Sequence, residues 1–345
     1  MIEWLKVPDE TKRRAYTQIA EKNGMSAYVV EKDWWVVQTL SVLFQTSLKE
    51  HLVFKGGTSL SKAWKLIERF SEDIDLAIDR EFFGFDGDLT TNQGKTLRKK
   101  AGEYIDNQLL SELEQLFKEK GFMDLGVQLE LEAGKDSDRD RVIFVHYPNV
   151  IESPGYVLRP IKIEIGSRSL MEPFTVQIFN SLLDDEYTDR EFAQPAIEIP
   201  TVNPERTFLE KVFLLHEEFQ RPKEKMRVEK LSRHFYDIVK LTQSGYMDKA
   251  LENPDLYQTI VTHRQKFNKV GGVDYNLHAP QQINPIPPDD VIDAWRSDYN
   301  TMIEQMIYEE NPSSFDEIIA DLTKLKTKIN ALPWKLHIQF PNPNS

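Results

Sequence analysis

Apolar and polar positions recur with a helical period towards both ends of the chain and with a two-residue period in its middle. Residues 8–22 mix charges on a helical pattern that stops at Asn23-Gly24, and Ser26 is placed to cap a second helix reaching about Phe44. The pattern then changes: LVFKGG is a short apolar run closed by two glycines, TSLSKAWKLIERF reads as helix, and DIDLAI reads as strand. From Lys95 to Lys120 the spacing of Leu97, Tyr104, Ile105, Leu109, Leu113, Leu116 and Phe117 returns to helix. VQLELEAG and RVIFVHYP, joined by the turn-like KDSDRD, are followed by LRPIKIEIG and FTVQIF. These read as neighbouring strands, mostly antiparallel because their connections are too short for crossovers. The proline-rich PAIEIPTVNPE reads as a boundary, and beyond it the chain is mostly helical, interrupted by HAPQQINPIPPDD as a long connection or wrapping segment. The expected fold is α/β (α+β), a small mixed sheet flanked by helices. It divides into N-terminal helices over 1–50, an α/β core over 51–200 and a helical region over 201–345.

Composition narrows the chemistry. With 345 residues, 40% of them apolar and 29% charged, the chain holds more than one compact core usually does and enough apolar surface to fold. It has no cysteine, which excludes disulfides, thiolate metal sites and thiol nucleophiles, so a metal here would sit on oxygen or imidazole. No apolar run approaches the roughly 20 residues of a spanning helix, and the opening MIEWLKVPDETKRR lacks the layout of a signal peptide. The expectation is a soluble, cytoplasmic protein with no membrane partner. A net charge of −13 disfavours non-specific coating of nucleic acid, while leaving room for a local basic surface.

The strongest chemical signal is FKGGTSLSKAW followed by RFSEDIDLAI. Side chains two apart in a strand share a face, so Asp73 and Asp75 point one way while Ile74 and Leu76 point into the core. Two like charges held side by side need a compensating partner, and a divalent cation is the simplest. Gly56 and Gly57 close the preceding strand where a side chain would block close approach, and the amides of the helix that follows suit a phosphate. A phosphate cradle beside a carboxylate pair is what phosphoryl or nucleotidyl transfer needs. In IKIEI, Ile161, Ile163 and Ile165 face the core, whereas Lys162 and Glu164 share the other side; Glu164 is the candidate third metal ligand and Lys162 a charge balance. The competing reading for each motif alone is a solvated strand face or an ordinary turn.

GGTSL, RFSEDIDL, IKIEI, TFLEKVFLLHE and RHFYDIVKL together resemble the AbiEii/AbiGii nucleotidyltransferase toxins, a group that includes the MenT toxins, within the polymerase-beta-like nucleotidyltransferase superfamily. VEKDWWV near the start, and DYNTMI and SFDEII near the end, fit the same group. The resemblance implies a magnesium- or manganese-dependent transfer of a nucleoside monophosphate from a nucleoside triphosphate to RNA, with the 3′ end of a tRNA foremost. It also implies a toxin of a toxin–antitoxin or phage-defence system, opposed by a cognate antitoxin. Gly56, Gly57 and Thr58 match the triphosphate motif, with Lys55 and Ser71 beside it in the nucleotide-binding set. Asp73 and Asp75 match the metal pair, joined by Glu164, and Lys211 and Asp237 match the lysine and later aspartate implicated in nucleotide binding or catalysis. The nucleotide is expected in a cleft between sheet and C-terminal helices, and Asp73→Ala or Lys211→Ala is expected to abolish transfer with the fold intact. One departure stands out: many members read Arg-Asp before the later aspartate, where this chain has Arg233-His234. The rival classes are a nucleotidyltransferase acting on a small molecule or protein, and a nucleotide-binding module without turnover.

On the residues alone, Asn203-Pro204 opens a helix whose buried face is Phe208, Val212, Leu215 and Phe219, with Lys211 at its edge. Arg233 and Asp237, four apart, read as a surface ion pair. RPKEKMRVEKLSR carries Arg221, Lys223, Lys225, Arg227, Lys230 and Arg233 against Glu224 and Glu229; with LRKK at Leu97 to Lys100 it is the candidate RNA surface, the alternative being a solvated charged helix. Other signals are discounted. GKT at Gly94 to Thr96 lacks the upstream P-loop glycine, since Leu89 stands there, and HEEFQ at His216 lacks a second zinc histidine. Trp34 and Trp35 read as packing rather than base stacking, and Glu31, Lys32 and Asp33 beside them have no assigned role.

Overall fold

The two-residue alternation in the middle of the chain builds one mixed sheet. The computed structural model of the chain describes residues 2–87, 89–132, 140–153 and 160–341. It divides into two units, Met1–Lys65 with Phe70–Val202, and Leu66–Arg69 with Asn203–Ser345.

In the first unit, seven strands among the described residues lie in the order β3-β4-β5-β2-β1-β7-β6. They are β1 (Leu52–Lys55), β2 (Asp73–Ile78), β3 (Gln128–Leu131), β4 (Arg141–His146), β5 (Ile161–Gly166), β6 (Phe174–Phe179) and β7 (Ile197–Val202). Its helices are α1 (Glu3–Lys6), α2 (Asp9–Asn23), α3 (Ala27–Leu43), α4 (Gly56–Thr58), α5 (Thr91–Tyr104), α6 (Leu110–Glu119) and α7 (Leu182–Glu186). Gly24 in the left-handed region ends α2, and Ser26 Oγ accepts from Val29 N to cap α3, as the sequence predicts. The predicted Lys95–Lys120 helix begins earlier, at Thr91, because Thr90 and Gln93 form a capping box, and a π turn over Ile105–Leu109 joins α5 to α6. One core unites the sheet with the N-terminal helices: Ile74, Leu76, Ile78, Ile161, Ile163, Ile165, Ile143 and Val145 pack with Val30, Trp34, Val37 and Leu40. Trp34 and Trp35 are buried, and Trp35 stacks on Tyr147, so both serve as packing.

Several expectations need correction. TSLSKAWKLIERF does not stay helical: the helix begun at Gly56 runs as a π turn only to Ala63, Lys65 takes a positive φ of 53°, and Leu66–Arg69 belong to the second unit. The boundary expected in PAIEIPTVNPE falls within it, at Asn203, but the part before that residue is a strand. Ile199, Thr201 and Val202 are buried, and the run forms β7, parallel to β1 through Phe54 and Thr201 and antiparallel to β6. Alternating apolar burial outweighs the prolines, and the chain passes to the second unit only at Asn203. Nor are β5 and β6 neighbours: β5 runs parallel to β2, and β6 pairs with β7. The KDSDRD turn, apart from its last residue, and the Leu158-Arg159 start expected for β5 lie outside the described residues.

The second unit is helical: α8 (Pro204–Glu218), α9 (Arg233–Gln243), α10 (Tyr246–Leu251), α11 (Pro254–Phe267), α12 (Ile292–Met306) and α13 (Phe315–Asn330). Pro204 occupies the first turn of α8, where its missing N–H costs nothing. Phe208, Val212 and Leu215 are buried as predicted, but Phe219 is half-buried and Leu209 and Phe213 are buried too, so α8 is covered on more than one face. The HAPQQINPIPPDD segment wraps against α11, where Tyr257 Oη donates to His278 O, and against α8, where His216 Nδ1 accepts from Asn284 N.

Candidate active site

Asp73 and Asp75 stand two apart on β2, half-buried, with Ile74 and Leu76 fully buried on the opposite face. Register selects their neighbours. Lys55 of β1 lies opposite Asp75, while Lys162 and Glu164 of β5 lie opposite Asp73 and Asp75. Three adjacent strands therefore present three carboxylates and two ammonium groups on one sheet face. Lys162 Nζ pairs with Glu164. Burial would lower the Lys162 pKa, yet Glu164, with Asp73 and Asp75 behind it, raises it. Glu164 is thus engaged by a lysine, and among the described residues no three His, Cys, Asp or Glu side chains are spaced to hold a metal ion. Asp73 and Asp75 are the carboxylates that the strand period sets on one face of β2.

The glycine turn lies against this pair. Gly56 has φ +83°, and a Cβ built on it would overlap Asp75 Oδ2. Only glycine allows both that backbone conformation and that approach, so a group resting on the turn amides would lie beside Asp75. Thr58 is buried, and its Oγ1 donates to the Asp73 carbonyl at 2.6 Å, within 3.0 Å of Ser71 Oγ. Its side chain ties the turn to the start of β2.

In the second unit Lys211 of α8 and Asp237 of α9 meet. Lys211 Nζ lies 2.8 Å from Asp237 Oδ2, and Asp237 also accepts from Arg69 Nε at 2.6 Å and Nη2 at 2.8 Å. His234 Nδ1 is 3.3 Å from Lys211 Nζ. All four groups are buried, and Asp237 is 0% exposed. The expected Arg233–Asp237 surface pair is therefore corrected: the partners of Asp237 are Arg69, 168 residues away, and Lys211. Burial alone would raise the Asp237 carboxyl, but Arg69 and then Lys211 outweigh it and hold it well below the usual carboxylate range. Burial lowers Lys211 against the pull of Asp237, with Arg69 adding to the fall. Burial, Lys211 and Arg233 push His234 well below the ordinary imidazole range, so it is neutral at pH 7 and offers Nδ1 to the ammonium.

Comparison with known proteins identifies the family. A family model described as nucleotidyl transferase AbiEii toxin, type IV toxin–antitoxin system, matches residues 38–321, a span that includes every candidate residue above. The chain belongs to the AbiEii family. It is a nucleotidyltransferase of that toxin family. Among solved structures it is similar to MenT4, a nucleotidyltransferase toxin from Mycobacterium tuberculosis H37Rv, at 16% identity with 94% of each chain covered and a TM-score of 0.48. It is also similar to JHP933 from Helicobacter pylori, at 14% identity, 85% of this chain and 89% of that one covered, and a TM-score of 0.41. Among curated proteins no sequence match is found.

The basic segment of this AbiEii protein is a short 3-10 turn over Lys223–Lys225 followed by irregular chain, which corrects the alternative of a solvated charged helix. Arg221 and Arg227 both pair with the buried Glu218, Lys223 Nζ reaches the Asp290 carbonyl at 2.8 Å, and the Lys230 and Ser232 amides donate to Asp298. Lys223, Lys225 and Arg227 are nonetheless exposed. Sequence reasoning missed Arg69, which stands in RFSEDIDL with no local sign of a partner so distant. Among the described residues no helix is long and apolar enough to cross a membrane.

Proposed function

We propose that this AbiEii nucleotidyltransferase moves a nucleoside monophosphate from a nucleoside triphosphate onto an RNA hydroxyl, with the 3′ end of a tRNA as first candidate. The reaction joins the acceptor oxygen to the α-phosphorus, breaks the α–β phosphoanhydride bond and releases pyrophosphate and a proton. The observation that carries the reading is the contact of Gly56 with Asp75: a turn suited to cradling phosphate lies against the carboxylate pair. Asp73 and Asp75 supply only oxygen donors, which fit magnesium or manganese, and a bound cation of this kind offsets phosphate charge and activates an acceptor hydroxyl. The turn amides orient the triphosphate. Lys55 and Lys162 keep the acidic face from repelling it, Lys162 also holding Glu164 in place. Lys211 and Asp237 keep the catalytic role implied by the family motif. The exposed Lys223, Lys225 and Arg227 support an RNA acceptor, while family membership supports action against growth or phage, countered by an antitoxin.

The test is incubation of the protein with each of four labelled triphosphates and magnesium, with and without total cellular RNA. Label in tRNA-sized RNA that vanishes with Asp73→Ala is the expected result. Label in protein or small molecules without RNA would replace the acceptor. Triphosphate binding without pyrophosphate release under any condition would overturn turnover itself.

A further inference from the structure

Helix α3 carries Glu31, Lys32 and Asp33 in succession, all withdrawn from solvent in a helix otherwise built for the core. Each reaches a different segment. Glu31 accepts from Val150 N at 2.8 Å and Ile151 N at 3.0 Å. Lys32 Nζ, fully buried, bonds Glu72 Oε2 at 2.7 Å, one residue before Asp73. Asp33 lies 2.7 Å from Lys62 Nζ, at the end of the helix that starts at Gly56, and its Oδ2 accepts from Leu182 N at 2.7 Å. Neighbouring residues of one rigid helix thus grip the start of the carboxylate strand and the far end of the glycine-turn helix.

We propose that Lys32 and Asp33 are positioning residues that hold the Asp73–Asp75 pair and the Gly56 turn at a fixed separation, so that one cation and one triphosphate are bound together. The inference rests on the reading of Asp73 and Asp75 as the cation ligands. Buried ion pairs stabilise folds poorly compared with apolar contacts of the same volume, so their value here lies in geometry. Groups behind a metal site commonly alter its affinity about 10- to 100-fold when removed, and a misplacement of about 1 Å costs on the order of 100-fold in rate.

The test measures manganese binding by electron paramagnetic resonance, with and without a non-hydrolysable triphosphate, alongside urea denaturation and steady-state kinetics. Lys32→Met and Glu72→Gln are each expected to weaken manganese binding by about tenfold or more. The double variant should be no worse than the more affected single one, and Lys32→Arg should restore most of the affinity. Asp33→Asn should lower kcat and weaken the coupling between cation and triphosphate, with the manganese affinity of the free protein near wild type. Should Lys32→Met fail to fold, Glu72→Gln, at the rim of the pair, carries the same measurement. Variants that lose urea resistance while keeping wild-type manganese affinity, coupling and kcat would reduce Lys32 and Asp33 to structural residues and overturn the proposal. Wild-type protein that binds no manganese, with or without triphosphate, would instead overturn the reading of Asp73 and Asp75.

Discussion

The two units handle their charges in opposite ways. On β2, Asp73 and Asp75 are half-buried, aimed by backbone register, and opposite Lys55 and Lys162; the core beneath them is made by Ile74 and Leu76. In the second unit Asp237, Arg69, Lys211 and His234 are sealed from solvent, with both cations held on the one carboxylate. Losing a β2 carboxylate leaves the apolar core beneath it in place, whereas losing a charged member of the buried group removes an ion-pair partner in a low dielectric. Loss of activity is therefore direct evidence of chemistry at the first site, and at the second only when stability is measured alongside.

The largest expected effect falls on that contrast. Asp73→Ala should reduce nucleotide transfer by at least about a thousandfold while shifting the unfolding free energy by less than about 1 kcal/mol, read from labelling and urea titration on the same preparation. Arg69→Met should do the reverse, removing about 3–5 kcal/mol of stability by leaving Asp237 under-compensated. Lys211→Ala, expected from sequence to spare the fold, should cost stability on a similar scale as well as activity, because its ammonium is buried against Asp237. If Lys211→Ala is as stable as wild type, the contrast between the units fails.

A smaller effect sharpens the first half of the comparison. Gly56→Ala places a Cβ against Asp75 Oδ2 at a positive φ, so it should lose about 1–3 kcal/mol of stability and most of its activity, whereas Ala replacing Lys55 should leave the fold intact. The smallest concerns Glu31, whose carboxyl burial pushes up to about 7 against the pull of the Val150 and Ile151 amides. Between the ordinary 4.5 and about 7, the folded protein keeps a proton that the unfolded chain has released, so stability from this group declines as pH rises through that window and levels off above it. The unfolding free energy of wild type relative to Glu31→Gln should follow that slope; a difference independent of pH would show that Glu31 is ionised throughout.

The first site was legible because its information is local. Asp73 and Asp75 share a face by strand period, Gly56 and Gly57 precede a helix, and Lys162 and Glu164 alternate with core isoleucines, so residue spacing alone carried each inference. The buried cluster was not. Arg69 sits among residues that read as helix, and Arg233 offered a nearer partner to Asp237 than the one the fold selects. In PAIEIPTVNPE the prolines did mark where the units divide, but the strand before Asn203 was not legible, because its place between β1 and β6 is set by strands distant in the chain.

By itself, the amino-acid order determined the mixed α/β character, the placement of most strands and helices, the acidic pair beside a glycine turn, and the family motifs, all of which depend on neighbours within a few turns of backbone. Tertiary structure alone decided that Asp237 answers to Arg69 and Lys211, and that Lys32 and Asp33 reach Glu72 and Lys62. Ion pairing in a buried setting depends on which charges share the same desolvated volume, and that is settled only when distant segments have packed.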